Sequence, residues 1–209
     1  MPDASEAKPV YTIGHSNHEI GRFTALLRQH GISAVADVRS APYSRFNPQF
    51  NREALREVLR GAGIDYVFLG MELGARSEDP VCYVDGRVQY DRLARTALFR
   101  SGIERVLKGR ERHRVALMCA EKDPLDCHRT LLVARALDAG NVPVTHILAD
   151  GRLESHDKAM GRLLGVTRLP ETDLFRSREQ LIDEACSLQE RRVAYVDEDI
   201  SKRESEGNV

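Results

Sequence analysis

Apolar residues recur along this chain in two alternating periods. Phe23, Leu26 and Leu27 fall at helical spacing and end at Gly31, and the largely apolar run Ile32-Ser33-Ala34-Val35-Ala36 follows. Leu55, Val58 and Leu59 lead in the same way to Gly61 and Gly63, then to Ile64-Asp65-Tyr66-Val67-Phe68-Leu69. Leu131, Leu132, Ala134 and Leu137 lead to Gly140, then to Val142 through Leu148. Apolar positions three and four apart predict helices, and short, near-continuous apolar runs predict buried strands. A glycine just past a helix can close it in the left-handed conformation. The pattern predicts strands near 10–13, 34–38, 65–69, 114–119 and 143–148. It predicts helices near 19–30, 51–60, 91–108, 128–139 and 177–191. Strands apolar on both sides and separated by helices belong in an α/β fold. The expected sheet is mostly parallel and Rossmann-like, with helices on both faces.

Some stretches depart from this rhythm. In 81–90, VCYVDGRVQY, Asp85-Gly86 lies between alternating residues, as in a hairpin turn or an irregular excursion. Beyond about residue 150 the rhythm weakens to an amphipathic helix and a few strand-like residues, expected to pack on the main domain. The organisation expected is an N-terminal extension over 1–9, one α/β domain over 10–195 and a disordered polar tail over 196–209. Within that domain the motifs lie in 10–152, and 153–195 forms a C-terminal helical part.

Composition narrows the class. Of 209 residues, 42% are hydrophobic and 30% charged, the balance of a soluble globular protein. No apolar run is long enough to span a bilayer, and MPDASEAKPV lacks a signal-peptide core, so no membrane partner and a cytoplasmic location are expected. Four cysteines, at 82, 119, 127 and 186, are too few and too scattered for a disulfide scaffold. The net charge of −1 argues against a broad basic face for nucleic acid. Any phosphate recognition must therefore be local.

Ligands of open parallel sheets bind beyond the carboxyl ends of the strands. There the chain places GHSN with His15 and Ser16; Asp37, Arg39, Ser44, Arg45 and Asn47; Glu72 and Arg76; CAEKDPLDCHR; and Asp150-Gly151. In GHSN, His15 is a candidate acid, base or donor, and the bland alternative is that Ser16 or Asn17 only caps a helix. Arg39 and Arg45 suit bidentate contact with phosphate or carboxylate, and Pro42 and Pro48 would stiffen their loop. Tyr43, Phe46 and Phe50 are read chiefly as anchors to the core. Residues 37–60 hold five arginines, one aspartate and two glutamates, a local surplus of +2.

CAEKDPLDCHR admits three readings. Cys127 or Cys119 could be a nucleophile, its pKa lowered by a helix start and by His128 and Arg129. Cys119, Cys127 and His128, with His15 as a further candidate, could bind metal. Or the segment is structural, with Arg129 holding the loop. C-x7-C-H is not a standard zinc spacing, so no tightly held structural zinc is expected. The usual nucleotide-binding glycine loops are absent. His146, within a strand, reads as a buried, satisfied histidine.

YTIGHSN, DVRSAPYSRFNPQFN, LGAR and ALMCAEKDPLDCHR, in this order, resemble the domain-of-unknown-function 488 family, and THILADG also fits. The likeness covers roughly 10–152 and implies that the residues at the strand ends belong to the family's own pattern. It implies no reaction. The residues lead to an enzyme acting on a phosphorylated or nucleotide-like ligand. His15, Asp37, Glu121 and Cys127 are the catalytic candidates. Ser16, Arg39, Ser44, Arg45, Asn47, Cys119, His128 and Arg129 are the ligand-binding ones. No cofactor is expected. The alternatives are a non-catalytic nucleotide or nucleic-acid binding module and a metal-dependent hydrolase. His15, Arg39, Arg45 and Arg129 are expected to line one concavity.

Overall fold

The structure, a computed structural model, describes residues 8–201. From β1 (Val10–Gly14) the chain runs through α1 (Ile20–Gln29), β2 (Ala34–Asp37), α2 (Arg52–Gly61), β3 (Asp65–Phe68) and the single turn α3 (Gly70–Leu73). It continues through β4 (Tyr83–Val84), β5 (Arg87–Val88), α4 (Tyr90–Ala94), α5 (Ala97–Arg112) and β6 (Val115–Cys119). A π-helical turn at Arg129–Ala134 leads into α6 (Arg135–Ala139). The remainder is β7 (Val144–Ile147), β8 (Leu153–Ser155), α7 (His156–Thr167) and α8 (Arg178–Val193). Among the described residues no helix is long and apolar enough to cross a membrane.

The main sheet has the order β3-β2-β6-β1-β7-β8. Its pairings are parallel except for β8, which runs antiparallel to β7 at one edge. The fold is thus α/β and Rossmann-like, with helices on both faces. Alternate strand residues feed two cores. Tyr11, Ile13, Val35, Ala116 and Met118 pack with Phe23, Leu27, Leu55 and Leu59 of α1 and α2. Val10, Ala34, Ala36, Leu117 and Cys119 face the other layer, with Phe99, Val106, Leu137, Leu163 and Leu181 of α5 to α8.

Gly31 and Gly63 take positive φ after α1 and α2. After α6 that role passes from Gly140 to Asn141, at φ 58. Asp85 and Gly86 are both at positive φ between β4 and β5, as a two-residue hairpin of the primed type requires. Three expectations need correction. The helix read over 91–108 is two, because Thr96 accepts from the Phe99 amide and caps a fresh start at α5. The loop GHSN holds no cap: Glu19 occupies that position before α1 without a side-chain bond, and Ser16 sits at φ 49. Past residue 150, β8 and α7 continue the regular structure. Val196 still bridges to Arg87 and 198–201 make a helical turn, while 1–7 of the expected extension and 202–209 of the expected tail lie outside the described residues.

His146 is buried as the sequence reading holds. Its Nδ1 meets the Thr12 hydroxyl at 2.8 Å and its Nε2 meets Nδ1 of His156 at 3.2 Å. Burial first, then His156, Arg129 and Arg162, lower its pKa to about 3. Below pH 6.5 the unfolded chain binds a proton there that the fold rejects. The stability tied to neutral His146 is therefore complete above 6.5 and is lost as pH falls toward 3. One such proton costs about 1.4 kcal/mol per pH unit. Urea midpoints between pH 6.5 and 4.5 should fall steeply, and His146→Gln should flatten the slope by about that amount. An unchanged slope in the variant would remove His146 from the account.

Candidate active site

The strand order brings three loops together. The ends of β2, β6 and β1 are neighbours in the sheet, so the segments after them meet. Past β1, the His15 amide donates to the Cys119 carbonyl at 2.9 Å and the Ser16 amide to Ala120 at 2.8 Å. The pairing of β1 with β6 thus runs on into the loops. Gly14 is required here: a Cβ on it would lie 1.8 Å from the Glu121 carbonyl oxygen. The loop after β6 lies directly on the backbone of β1.

That loop is held from several sides. Pro124–Asp126 form a 3-10 turn opened by Asp123, whose carboxylate accepts from the Leu125 amide at 2.9 Å. Arg162 of α7 grips Asp123 at 2.8 and 3.0 Å. Gln189 of α8 donates to the Leu125 carbonyl and the Asp126 carboxylate. Arg129, 1% exposed, donates from inside the loop to the Glu121 carbonyl at 2.9 Å. The C-terminal helices are thus scaffolding for this segment. The chain then enters its π-helical turn, a rare geometry that gathers at functional sites.

On one side of the sheet edge lies a buried network. Asp37, fully buried, accepts from the Arg39 amide at 3.1 Å, Arg39 Nε at 2.9 Å, Arg39 Nη2 at 2.7 Å and the Tyr66 hydroxyl at 2.8 Å. Arg39 also donates to the Phe50 carbonyl at 2.8 Å and, through Nη1, to His15 Nε2 at 3.3 Å. His15 donates from Nδ1 to the Ser16 carbonyl and stacks on Phe50 at 4.3 Å. Burial first, then Arg39, lower the His15 pKa to about 4. His15 is therefore neutral near pH 7 with both ring nitrogens engaged. It positions Arg39 rather than facing the open cleft.

On the other side stand the thiols. His128 Nδ1 lies 3.7 Å from Cys119 Sγ and 3.8 Å from Cys127 Sγ, and its Nε2 meets the Val38 carbonyl at 3.0 Å. Burial pushes the Cys119 thiol well up, with Cys127 adding to it. Burial acts on Cys127 too, but the bond to Cys119 and the charges of Arg129 and His128 outweigh it and hold that thiol well below its ordinary range. Burial, then Cys127, raises the Glu121 carboxyl. Glu121 Oε2 is buried without a hydrogen-bond partner.

A cleft of about 260 Å³ opens over these groups. Arg39, Cys119, Glu121, Cys127 and His128 line it among the sequence candidates, and Arg76, Tyr90 and Tyr195 close it. Arg76 stacks on the Tyr195 ring at 4.4 Å. It is exposed and has no acidic partner among the described residues. Arg76 stands in LGAR, past the end of β3, and is not among the residues expected at the site. Nothing in the sequence marks Tyr90 or Tyr195. A larger, mostly apolar groove of about 470 Å³ runs between β3 and α5 and contains none of the thiols.

Seven of the twelve expected site residues do not line this cleft: His15, Asp37 and Arg129 are buried beside it, and four lie elsewhere. Ser16 is in the β1 loop, outside this cleft. Ser44 builds its own turn, accepting from the Phe46 and Asn47 amides at 3.2 Å. Asn47 belongs to that turn, and Arg45 projects to solvent. Of the four residues expected to line one concavity, Arg39 alone lines the cleft; His15 and Arg129 are buried beside it, and Arg45 lies outside because the loop turns outward after Pro42. Of the three aromatics read as anchors, Phe50 is one. Phe46 is 87% exposed and Tyr43 59%, so the anchor reading fails for both.

No curated protein and no solved structure matches the chain. One family model does, over residues 19–136, from the start of α1 into α6. The matched span contains Asp37, Arg39 and Arg76, and the whole of the Cys119 to Arg129 segment. It is more than half of the chain, and the chain belongs to the family described as Domain of unknown function DUF488.

Proposed function

We propose that the protein is an enzyme acting on a small phosphorylated or nucleotide-like molecule bound in the cleft over β2 and β6. The observation that carries this reading is Arg76. A guanidinium without an acidic partner, stacked on Tyr195, shares one small cleft with two thiols, an imidazole and the half-buried carboxylate of Glu121. A planar cation of this kind suits phosphate oxygens. Arg39 adds a second cation whose direction Asp37 and His15 fix. Glu121 is the proton-transfer group and Cys127 the nucleophile or metal-facing group. A volume near 260 Å³ suits a compact ligand. A non-catalytic sensor could use the same cations, but it would not need the sulfur and carboxylate cluster beneath them.

Arg76→Ala tests the proposal. Thermal melting is followed with inorganic phosphate, sugar phosphates and nucleotides. At least one should stabilise the wild type. Arg76→Ala should melt within about 0.5 kcal/mol of wild type without ligand and lose ten- to a hundredfold in affinity, the worth of a charged hydrogen-bonded contact of about 1.5–3 kcal/mol. Arg45→Ala should bind as wild type does. Full ligand stabilisation in Arg76→Ala, or its loss in Arg45→Ala, would put the anion elsewhere. Turnover of the stabilising ligand separates an enzyme from a sensor.

A further inference from the structure

We infer that Cys119, Cys127 and His128 bind a divalent cation of the zinc class at the floor of the cleft, through two sulfurs and one imidazole nitrogen. Their donor atoms all lie within 4.8 Å of one another. A tetrahedral centre with metal–sulfur bonds of about 2.3 Å and metal–nitrogen bonds of about 2.0 Å needs sulfur–nitrogen separations of about 3.5 Å. The separations here are 3.7 and 3.8 Å. Closing them asks only a few tenths of an ångström from each group.

The second observation is independent of the sulfurs. His128 Nε2 lies 3.0 Å from the Val38 carbonyl, which can only accept. Nε2 therefore carries a proton, and Nδ1 is the ring atom turned toward the two sulfurs, where a metal would displace any proton it holds. Donation of the remote ring N–H to a backbone carbonyl is how metal-binding histidines are usually held. A third observation concerns the rim. Glu121 Oε2 is buried without a hydrogen bond, 3.9 Å from the Arg129 guanidinium. It stands beside the three donors rather than among them. A bound metal or its water would satisfy that oxygen.

The donor set selects the cation. Two thiolates and an imidazole favour zinc-like ions over magnesium or calcium, which take oxygen. Three protein ligands leave one position open, as in catalytic rather than closed structural sites. That position faces the cleft, because all three donors line it. Binding replaces any S–H proton by a metal–sulfur bond and releases the proton to water. No oxidant or reductant is needed.

The inference concerns the metal alone and is tested without any substrate, so it stands or falls apart from the anion reading above. The full chain is purified under reducing conditions without chelator, and its metal is counted by mass spectrometry. The metal-free form is then titrated with cobalt. The expected result is one metal per chain and a cobalt spectrum with thiolate charge-transfer and tetrahedral d–d bands. Cys82→Ser and Cys186→Ser should keep the metal, while Cys119→Ser and Cys127→Ser should retain less than about a tenth. If those two variants fail to fold, thiol titration of the wild type decides: metal should protect two of the four thiols from a disulfide reagent. Reduced wild-type protein that takes up no cobalt or zinc at micromolar concentration would overturn the inference. So would metal that Cys119→Ser retains, or unchanged reactivity of all four thiols when metal is added.

Discussion

Asp37→Asn is expected to cost the fold about 3–5 kcal/mol, the usual result of breaking one side of a buried ion pair. Asp37 is fully buried and meets Arg39 through three contacts and Tyr66 through a fourth. Asparagine keeps the shape and one acceptor oxygen. It removes the charge that compensates Arg39, which is itself buried. It also sets an amide N–H₂ against donors that expect an oxygen. For a domain of this size the melting temperature should drop by roughly 10 °C. Surface pairs such as Arg60 with Glu57, both largely exposed, offer the control, since Glu57→Gln should cost less than about 1 kcal/mol. A double variant, Asp37→Asn with Arg39→Met, should recover part of the loss, because no charge is then left buried alone. A loss below about 1 kcal/mol for Asp37→Asn would mean that water reaches the pair and that Arg39 is free to turn toward a ligand.

The same pair shows what the sequence could and could not convey. Asp37 and Arg39 were legible as residues past a buried strand, and the sheet order makes that rule productive by setting β2, β6 and β1 side by side. The parallel core was legible because its strands are apolar on both sides, a signal that needs no tertiary knowledge. Pairing inside the site was not. Whether an arginine reaches a ligand or a neighbouring carboxylate depends on a few ångströms of loop path. Arg129 illustrates this, since its guanidinium ends on backbone carbonyls within its own loop. The thiol cluster was hidden for a related reason. C-x7-C-H matches no linear zinc template. Its donors meet because Cys119 ends a strand and the 3-10 turn at Pro124–Asp126 folds the chain back on it. Beyond residue 150 the edge strand β8 is three residues long and half exposed, too short to carry a period. Arg76 and Tyr195 become neighbours only through the return of the C-terminal segment.

Phe50→Ala is expected to destabilise the protein by about 3–5 kcal/mol, and Phe46→Ala by less than about 0.5 kcal/mol. The two rings are four residues apart in one loop and differ in burial, 0% against 87% exposed. Phe50 packs edge-on against Phe23 of α1 at 5.2 Å and face-on against His15 at 4.3 Å. Its removal leaves a cavity beneath the network that directs Arg39, whose Nη2 rests on the Phe50 carbonyl. Two consequences separate from each other. The stability loss follows from the cavity and should be partly restored in Phe50→Leu, which refills most of the volume. Loosening of His15 follows from the lost stack. The His15 pKa, held at about 4 mainly by burial, should then rise toward the ordinary histidine value, which NMR titration of the ring protons can read in the folded variant. The sequence pattern treats both rings alike, and the structure distinguishes them because the chain turns outward after Pro42 and returns to the core at Phe50. Equal losses in the two variants would show that Phe46 is covered in solution. A His15 pKa that stays near 4 in Phe50→Ala would assign its low value to Arg39 rather than to enclosure by the ring.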